Sequence, residues 1–522
     1  MSALVTLDAV SVRARGEAAL ENFSLAIAPG ETVVLLGEPD CGKDEILQLL
    51  AGVPLKAEIA GTIRIRDGQA ERAARFRGRG LRTAYLAGPY AQPFSPHASV
   101  AAQAARVIAR KLDAPRPSAR AEFGAALERL AGAPPLATFD ALPGALGPEM
   151  LAWGLFAAAF AGTPDLLLAD DPLSRLSPTQ ARAMAALLQA EQKRLGFALV
   201  YAAMSTEVVR WLGGRIVVLR HGKVVEEGPL SRLATAQAHA YTRTLFRAAP
   251  SLTLDAEKPR SQSRAEPVLQ VHALEWRKNL EPRETVTFEL RRGRALAFVG
   301  EKGSGRHALM RALLGLERVE AGHVVLDAVD IGILSEGMLM RLRRRVAFVT
   351  GSDEALDPRM LLWDTVTEPL RAHLRLPRGV IAESREAALK RVGMAGLKGD
   401  VPVAALSPFD RRRLQVARAI VGAPLLAVID EPFHGLDAFA QSVMRDLLRE
   451  FRESEGPAFL VITSDVAVAQ ALAEDAFVFA GGRIVERGSL AGIVKAPKAP
   501  QTKRLIEAVR PQETLSPPPS GG

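Results

Sequence analysis

An α/β architecture written twice in tandem is what this chain predicts, on three observations. Short runs rich in leucine and β-branched residues, such as TVVLLG (32–37), DLLLAD (165–170), FALVYA (197–202) and RIVVLR (215–220), carry no polar alternation. Longer helical patterns such as PTQARAMAALLQAEQKRLG (178–196) separate them. Continuous apolar strands alternating with helices make a parallel sheet covered on both faces. The third observation is that the whole pattern returns after about half the chain.

The duplication is read segment by segment. TVVLLGEPDCGKD (32–44) returns as ALAFVGEKGSGRH (295–307), LLLADDP (166–172) as LAVIDEP (426–432), FALVYAAMST (197–206) as AFLVITSD (458–465), and RHGKVVEEG (220–228) as AGGRIVERG (480–488). The pairs Gly37/Gly300, Asp170/Asp430 and Gly228/Gly488 are 263, 260 and 260 residues apart. Offsets that constant mark duplication of a whole domain rather than a short solenoid repeat. Two domains also suit the 522 residues, which exceed what one core supports. The expected division is residues 1–254, a polar linker DAEKPRSQSRAEP (255–267), residues 268–510, and a disordered tail PQETLSPPPSGG (511–522).

Composition narrows the chemistry. With 48% hydrophobic, 5% aromatic and 24% charged residues the chain has the make-up of a folded globular protein. Its longest apolar run, LAWGLFAAAFAG (151–162), is shorter than the ~18–20 residues that span a bilayer, and the N-terminus lacks a signal pattern, which points to a cytoplasmic chain. The single cysteine, Cys41, excludes internal disulfides and any all-cysteine zinc or iron–sulfur site within one chain. The net charge of +9 and the runs RLRRR (341–345) and RRR (411–413) raise the question of nucleic acid. Such runs are read here as solvated helix faces, and no nucleic-acid role is assigned to them.

An apolar strand followed by G-x-x-x-x-G-K and a helix is a phosphate-binding loop, whose amides and helix N-terminus receive phosphate. The first copy supplies Gly37, Gly42 and Lys43, and a second apolar strand ends in Asp170, a carboxylate placed to serve a magnesium ion. The second copy supplies Gly300, Gly303, Gly305 and Arg306, with Asp430 at the matching strand end.

At these residues the chain resembles the ATP-binding-cassette family, in its peptide and nickel importer branch. ALSPFDRRRLQVARAIVGAPLLAVIDEPFHGLD (405–437) is similar to that family's signature helix, Walker B strand and D-loop in unbroken order. HAYTRTLFRAAPSL (239–252) is similar to the branch's C-terminal extension, with a weaker echo in APQTKRLIEAVRP (499–511). The resemblance implies two cassette domains, each with a helical subdomain, at about 80–150 and 340–425. It implies ATP and Mg2+ as ligands, two transmembrane permease subunits and through them a periplasmic solute-binding protein as partners, and a peripheral place on the cytoplasmic face of a bacterial inner membrane. Intramolecular pairing of the two domains would join Lys43, Asp44, Asp170 and Asp171 to Ser407, and Arg306, His307, Asp430 and Glu431 to Gly147 and Glu149.

Within that resemblance the motifs depart from the family pattern. Asp44 stands where a hydroxyl would meet magnesium, and Arg306 and His307 stand where Lys and Ser/Thr would. The signature glycines are Pro408 and Phe409 after Ser407, and the first copy has Gly147, Pro148 and Glu149. The catalytic carboxylate is Glu431 in the second copy and the shorter Asp171 in the first. The switch histidine is read as Ser205 and Ser464, and the Q-loop glutamine as Ala87 and Thr350. ATP hydrolysis is therefore expected to be weak or absent. A pseudo-ATPase scaffold is the first alternative; a soluble twin-cassette factor acting on ribosomes is disfavoured by the short linker.

Overall fold

The computed structural model describes residues 3–14, 17–65, 70–73, 81–88, 94–235, 237–248, 250, 252, 266–276, 284–317, 319, 321–352, 355–373 and 376–510. Nearly all of the linker and the whole of the tail named above lie outside them. The chain divides into two compact units, whose main break lies between residues 249 and 250.

In the first unit the strands are β1 (Val5–Ala14), β2 (Glu17–Ile27), β3 (Thr32–Leu36), β4 (Glu58–Ile65), β5 (Ala70–Arg72), β6 (Thr83–Leu86), β7 (Leu166–Asp170), β8 (Ala198–Ala203), β9 (Arg215–Arg220) and β10 (Lys223–Pro229). Its helices are α1 (Lys43–Leu50), α2 (Val100–Leu112), α3 (Arg116–Arg129), α4 (Pro148–Phe160), α5 (Pro178–Leu195), α6 (Thr206–Leu212), α7 (Leu230–Leu233) and α8 (Ala240–Ala248). A six-stranded sheet of order β10-β9-β3-β8-β7-β6 lies beside a smaller sheet of order β2-β1-β4-β5. All pairings in the large sheet are parallel except β10 with β9. The apolar runs follow from this: β8 is buried at every position and β7 at all but its last, because both faces are covered. Between β6 and β7 the chain makes a helical insert of α2, α3 and α4. Ser99 caps α2 and a Ser177/Gln180 capping box starts α5.

The second unit repeats the plan. Its strands are β11 (Pro267–Glu275), β12 (Val286–Arg291), β13 (Ala295–Val299), β14 (Ala321–Leu326), β15 (Val329–Asp330), β16 (Val346–Thr350), β17 (Leu426–Asp430), β18 (Ala458–Thr463), β19 (Asp475–Ala480) and β20 (Arg483–Ser489). Its helices are α9 (Arg306–Leu313), α10 (Glu336–Arg343), α11 (Leu362–His373), α12 (Arg378–Arg391), α13 (Pro408–Val421), α14 (Ala438–Glu455), α15 (Val466–Leu472), α16 (Leu490–Lys495) and α17 (Pro500–Val509). The large sheet, read β20-β19-β13-β18-β17-β16, has the same order as its counterpart, and α11, α12 and α13 form the insert.

Strand register corrects one sequence assignment. Leu36 pairs with Ala203, and Val299 pairs with Thr463, each residue immediately preceding the phosphate-loop glycine. Met204 is therefore the counterpart of Ser464, and Ser205 the counterpart of Asp465. Ser205 and Asp465 cap α6 and α15 through Val208, and through Ala467 and Val468, respectively. Matching serine to serine slipped the alignment by one position, because Ser and Asp serve equally as caps.

The arginine runs are also less solvated than expected. Arg412 is only 2% exposed, and its guanidinium donates to the carbonyls of Thr350 and Gly351, the latter at 2.6 Å. Arg413 pairs with Asp410 and stacks over Phe409. In the other run Arg343 pairs with Glu336 at 2.8 Å and Arg345 with Asp327 at 3.0 Å. Interior carbonyls and nearby acids, rather than water alone, take up these charges.

The extension helices are anchored alike. Glu226 accepts from the His239 amide at 2.9 Å and the Thr242 hydroxyl at 2.8 Å, at the start of α8. Glu486 accepts from the amides of Lys498 and Ala499, both at 3.1 Å, at the start of α17. Thr242 and Thr502 are both buried, so the faint echo in sequence marks a common anchor.

Candidate functional site

In the first unit β3 runs into the turn that begins at Gly37, and α1 starts at Lys43. Gly42 holds φ 100°, and a Cβ there would stand 2.6 Å from the Ala19 carbonyl, so glycine alone fits. The Lys43 side chain is buried and folds back over the loop, donating to the carbonyls of Gly37 and, at 3.1 Å, Glu38. Both acids of the first helical turn, Asp44 and Glu45, have pKa values raised by burial of their surroundings and by neighbouring Asp40. An anion at this N-terminus meets the helix dipole and Lys43 on one side and these carboxylates on the other.

Asp170 closes β7, and burial pushes its carboxyl up to about 6, with Asp44 and Asp171 adding to the rise and Lys43 opposing it. Asp171 is wholly buried at φ 39°, a left-handed conformation that aspartate tolerates better than most residues. Its Oδ1 accepts from the Tyr201 hydroxyl at 2.7 Å and its Oδ2 from the Met204 amide at 2.9 Å. Burial raises it to about 6 against those two donors and Lys43. Both of its oxygens are thus engaged inside the unit.

The second unit places its residues by the same turns and pairs them differently. Gly303 and Gly305 have φ 82° and 101°, and a Cβ on Gly300 would stand 2.6 Å from the Phe479 carbonyl. Arg306, 4% exposed, donates to the Gly300 carbonyl and, at 2.7 Å, to Glu431 Oε1. Glu431, at φ 46°, also accepts from Ser464 N at 2.8 Å and from Thr463 Oγ1 at 2.9 Å. His307 Nε2 lies 3.1 Å from both oxygens of Asp430. The lysine-position arginine is thus ion-paired to Glu431, and the hydroxyl-position histidine contacts the strand-end Asp430.

The signature positions open helices. Ser407 caps α13: its hydroxyl accepts from the Asp410 amide at 3.1 Å and donates to Asp410 Oδ2 at 2.8 Å. Gly147 precedes α4, and Glu149 accepts from Gln180 at 2.6 Å within its own unit. At the Q-loop positions, Thr350 N donates to Gln415 Oε1 at 2.7 Å, so Arg412 and Gln415 together tie that segment to α13. Their counterparts in α4 are Ala152 and Leu155, which lack polar groups. Sequence reasoning missed Tyr201, Arg412 and Gln415; the one available signal was that polar and apolar residues swap between the copies at these places.

A divalent cation suits the first donor set better than the second. Burial and Asp44 raise Asp170, with Lys43 opposing, whereas Asp430 already faces an imidazole. Among the described residues no group of three or more His, Cys, Asp or Glu side chains is arranged to hold a metal ion. A magnesium ion here would take its remaining ligands from phosphate and water, as that ion commonly does.

Two phosphate-loop cores, each with a helical insert between the strands that flank it, give the architecture of two ATP-binding cassettes in tandem. Residues 284–434 match the ABC transporter family model. The glutathione import ATP-binding protein GsiA of Escherichia coli (strain K12) is 28% identical over 555 residues, covering 95% of this chain and 89% of that protein. The protein of the same name in Shigella dysenteriae serotype 1 is 29% identical with the same coverage. Among solved structures, cbiO1 from Clostridium perfringens, part of the transporter complex cbiONQ, is 24% identical with a TM-score of 0.40, covering 44% of this chain and 90% of that one. The cassette MJ0796 bound to ADP and Pi is 21% identical with a TM-score of 0.38, covering 42% and 98%.

Proposed function

We propose that the chain is the energy-coupling subunit of an importer for peptide-type solutes, binding Mg-ATP in its first cassette and hydrolysing it slowly or not at all. The observation that carries this reading is the first copy's order of parts: a buried lysine over a glycine loop at a helix N-terminus, with Asp170 held up at about 6 by burial and by Asp44 and Asp171. In this reading Gly37, Gly42 and Lys43 hold phosphate, Asp44 and Asp170 face magnesium, and Asp171 sits at the catalytic position. Gly300, Gly303, Gly305, Arg306, Asp430 and Glu431 form the second, weaker site.

Similarity to a glutathione import protein over 95% of the chain supports the importer role. The partners are two permease subunits and, through them, a periplasmic solute-binding protein, at the cytoplasmic face of the inner membrane. No described helix is long and apolar enough to cross a membrane, so attachment would be through those subunits. The pairing of Arg306 with Glu431 and His307 with Asp430 favours a second reading, a pseudo-ATPase scaffold docked on permeases.

The test is a titration of purified protein with labelled ATP and Mg2+, then a turnover assay, then co-purification with the permease with and without ATP. Saturable binding with little turnover and ATP-independent co-purification agree with the proposal. Absence of binding leaves the scaffold, and a complex that forms only with ATP counts against the docking arrangement.

A further inference from the structure

Tyr241 lies on α8, in the C-terminal extension, yet reaches the first phosphate loop. Its ring is 7% exposed and lies under the Arg220 guanidinium, 4.7 Å from the ring centre. Its hydroxyl accepts the Glu38 amide N–H at 3.3 Å. That N–H belongs to the same peptide plane as the Gly37 carbonyl, which accepts from the Lys43 ammonium. In a trans peptide the two groups point in opposite directions. One plane is thus gripped from opposite sides, by the phenol and by the phosphate-loop lysine.

We propose that Tyr241 is a positioning residue for nucleotide binding, which sets the Gly37–Glu38 peptide against which Lys43 is seated and so couples the extension helix to the loop. Burial, first, and the nearby Glu38 carboxylate push the phenol well above its ordinary range, so it stays neutral and able to accept at any working pH. The extension is itself fixed, through Glu226 to His239 and Thr242, so the hydroxyl is presented from a rigid support. In the second unit the matching position is Gln501, and the lysine is replaced by Arg306, which has its own partner in Glu431. The device belongs to the copy that keeps the lysine.

The inference rests on the first cassette being the nucleotide-binding copy, and the experiment separates the two. Full-length wild type, Tyr241→Phe and Lys43→Ala are titrated with Mg-ATP and Mg-AMP, alongside thermal melts. Loss of one hydrogen bond on a loop that holds phosphate is expected to weaken Mg-ATP binding by about 2–10-fold, with Mg-AMP and the melting temperature little changed. Wild-type affinity in Tyr241→Phe while Lys43→Ala abolishes binding overturns the role of Tyr241 and leaves the nucleotide reading standing. A loss that follows a fall in melting temperature, or that weakens both nucleotides equally, shows packing instead and also overturns it. A wild type that binds no ATP overturns both.

Discussion

In the second cassette the Arg306 guanidinium donates to the Glu431 carboxylate at 2.7 Å, joining the residue that stands for the phosphate-loop lysine to the residue that stands for the catalytic base. With Arg306 buried and Glu431 also accepting from Ser464 N and Thr463 Oγ1, neither group is free for a phosphate or a water. Asp430 likewise has the His307 ring within hydrogen-bond reach. In the first cassette, among the described residues, Lys43 donates only to backbone carbonyls, and an incoming anion can compete for it.

Nucleotide affinity should therefore depend on Lys43 and hardly on Arg306. Lys43→Ala is expected to weaken binding of labelled ATP by at least ~10–100-fold, the usual effect of losing a hydrogen bond to a charged group. Arg306→Ala is expected to change it by less than about twofold. The reverse ranking in an equilibrium titration would sink the assignment of the two sites.

The self-pairing should be reversible by design. Arg306→Lys combined with His307→Ser replaces the planar fork by a point charge and restores a hydroxyl, which removes the Arg306 contact from Glu431 and the His307 contact from Asp430. Bound nucleotide per chain, counted by equilibrium dialysis at saturating Mg-ATP, is expected to rise from one toward two. A wild type that already holds two, or a double variant that stays at one, contradicts the idea that these pairings keep the second seat closed.

The pH dependence follows from Asp170, whose carboxyl is raised to about 6 by burial and by Asp44 and Asp171. A raised carboxylate binds its proton more tightly folded than unfolded, so stability falls as pH climbs from about 4 to about 6 and stays lower above that. Asp170→Asn, without a charge to bury, should gain roughly 1–2 kcal/mol in denaturant melts at pH 7.5, after discount for solvent screening. The gain should shrink toward nothing near pH 4. An equal gain at both pH values would show that the charge is not the cause. The same variant should lose Mg2+-dependent ATP binding.

Much of this architecture is legible in the sequence, because its determinants are local. Runs such as LLLAD and FALVYA sit in strands buried on both faces, and glycines at Gly42 and Gly305 occupy left-handed turns no other residue would tolerate. The pairings inside the sites were not legible. Arg306 and Glu431 lie far apart in sequence, and nothing in either segment says that they face each other. Tyr201 looked like one more apolar strand residue, although its hydroxyl holds Asp171. The slip between Ser205 and Ser464 has the same origin, since only strand register fixes which residue follows the buried strand.

Turnover is the sharpest test of the whole reading. At the position where the family's switch histidine would stand, the copies carry Met204 and Ser464, neither of which can supply that group's charge to a γ-phosphate. Losing one transition-state donor typically costs ~10²–10³-fold, and losses within one site do not add, because residues that act together forfeit most of their effect with the first removal. One such loss brings an ordinary ~1–10 s⁻¹ down to between ~0.1 and ~0.001 s⁻¹. Asp171, buried with both oxygens engaged, is poorly placed to polarise a water, and Glu431 is held by Arg306. ATPase activity is thus expected near background, and Glu431→Gln should leave the rate unchanged, while a melt in parallel reports the loss of the Arg306 pair. An ordinary rate, with or without the permease, that disappears in a folded Glu431→Gln protein would mean that the second cassette opens its ion pair and does the chemistry.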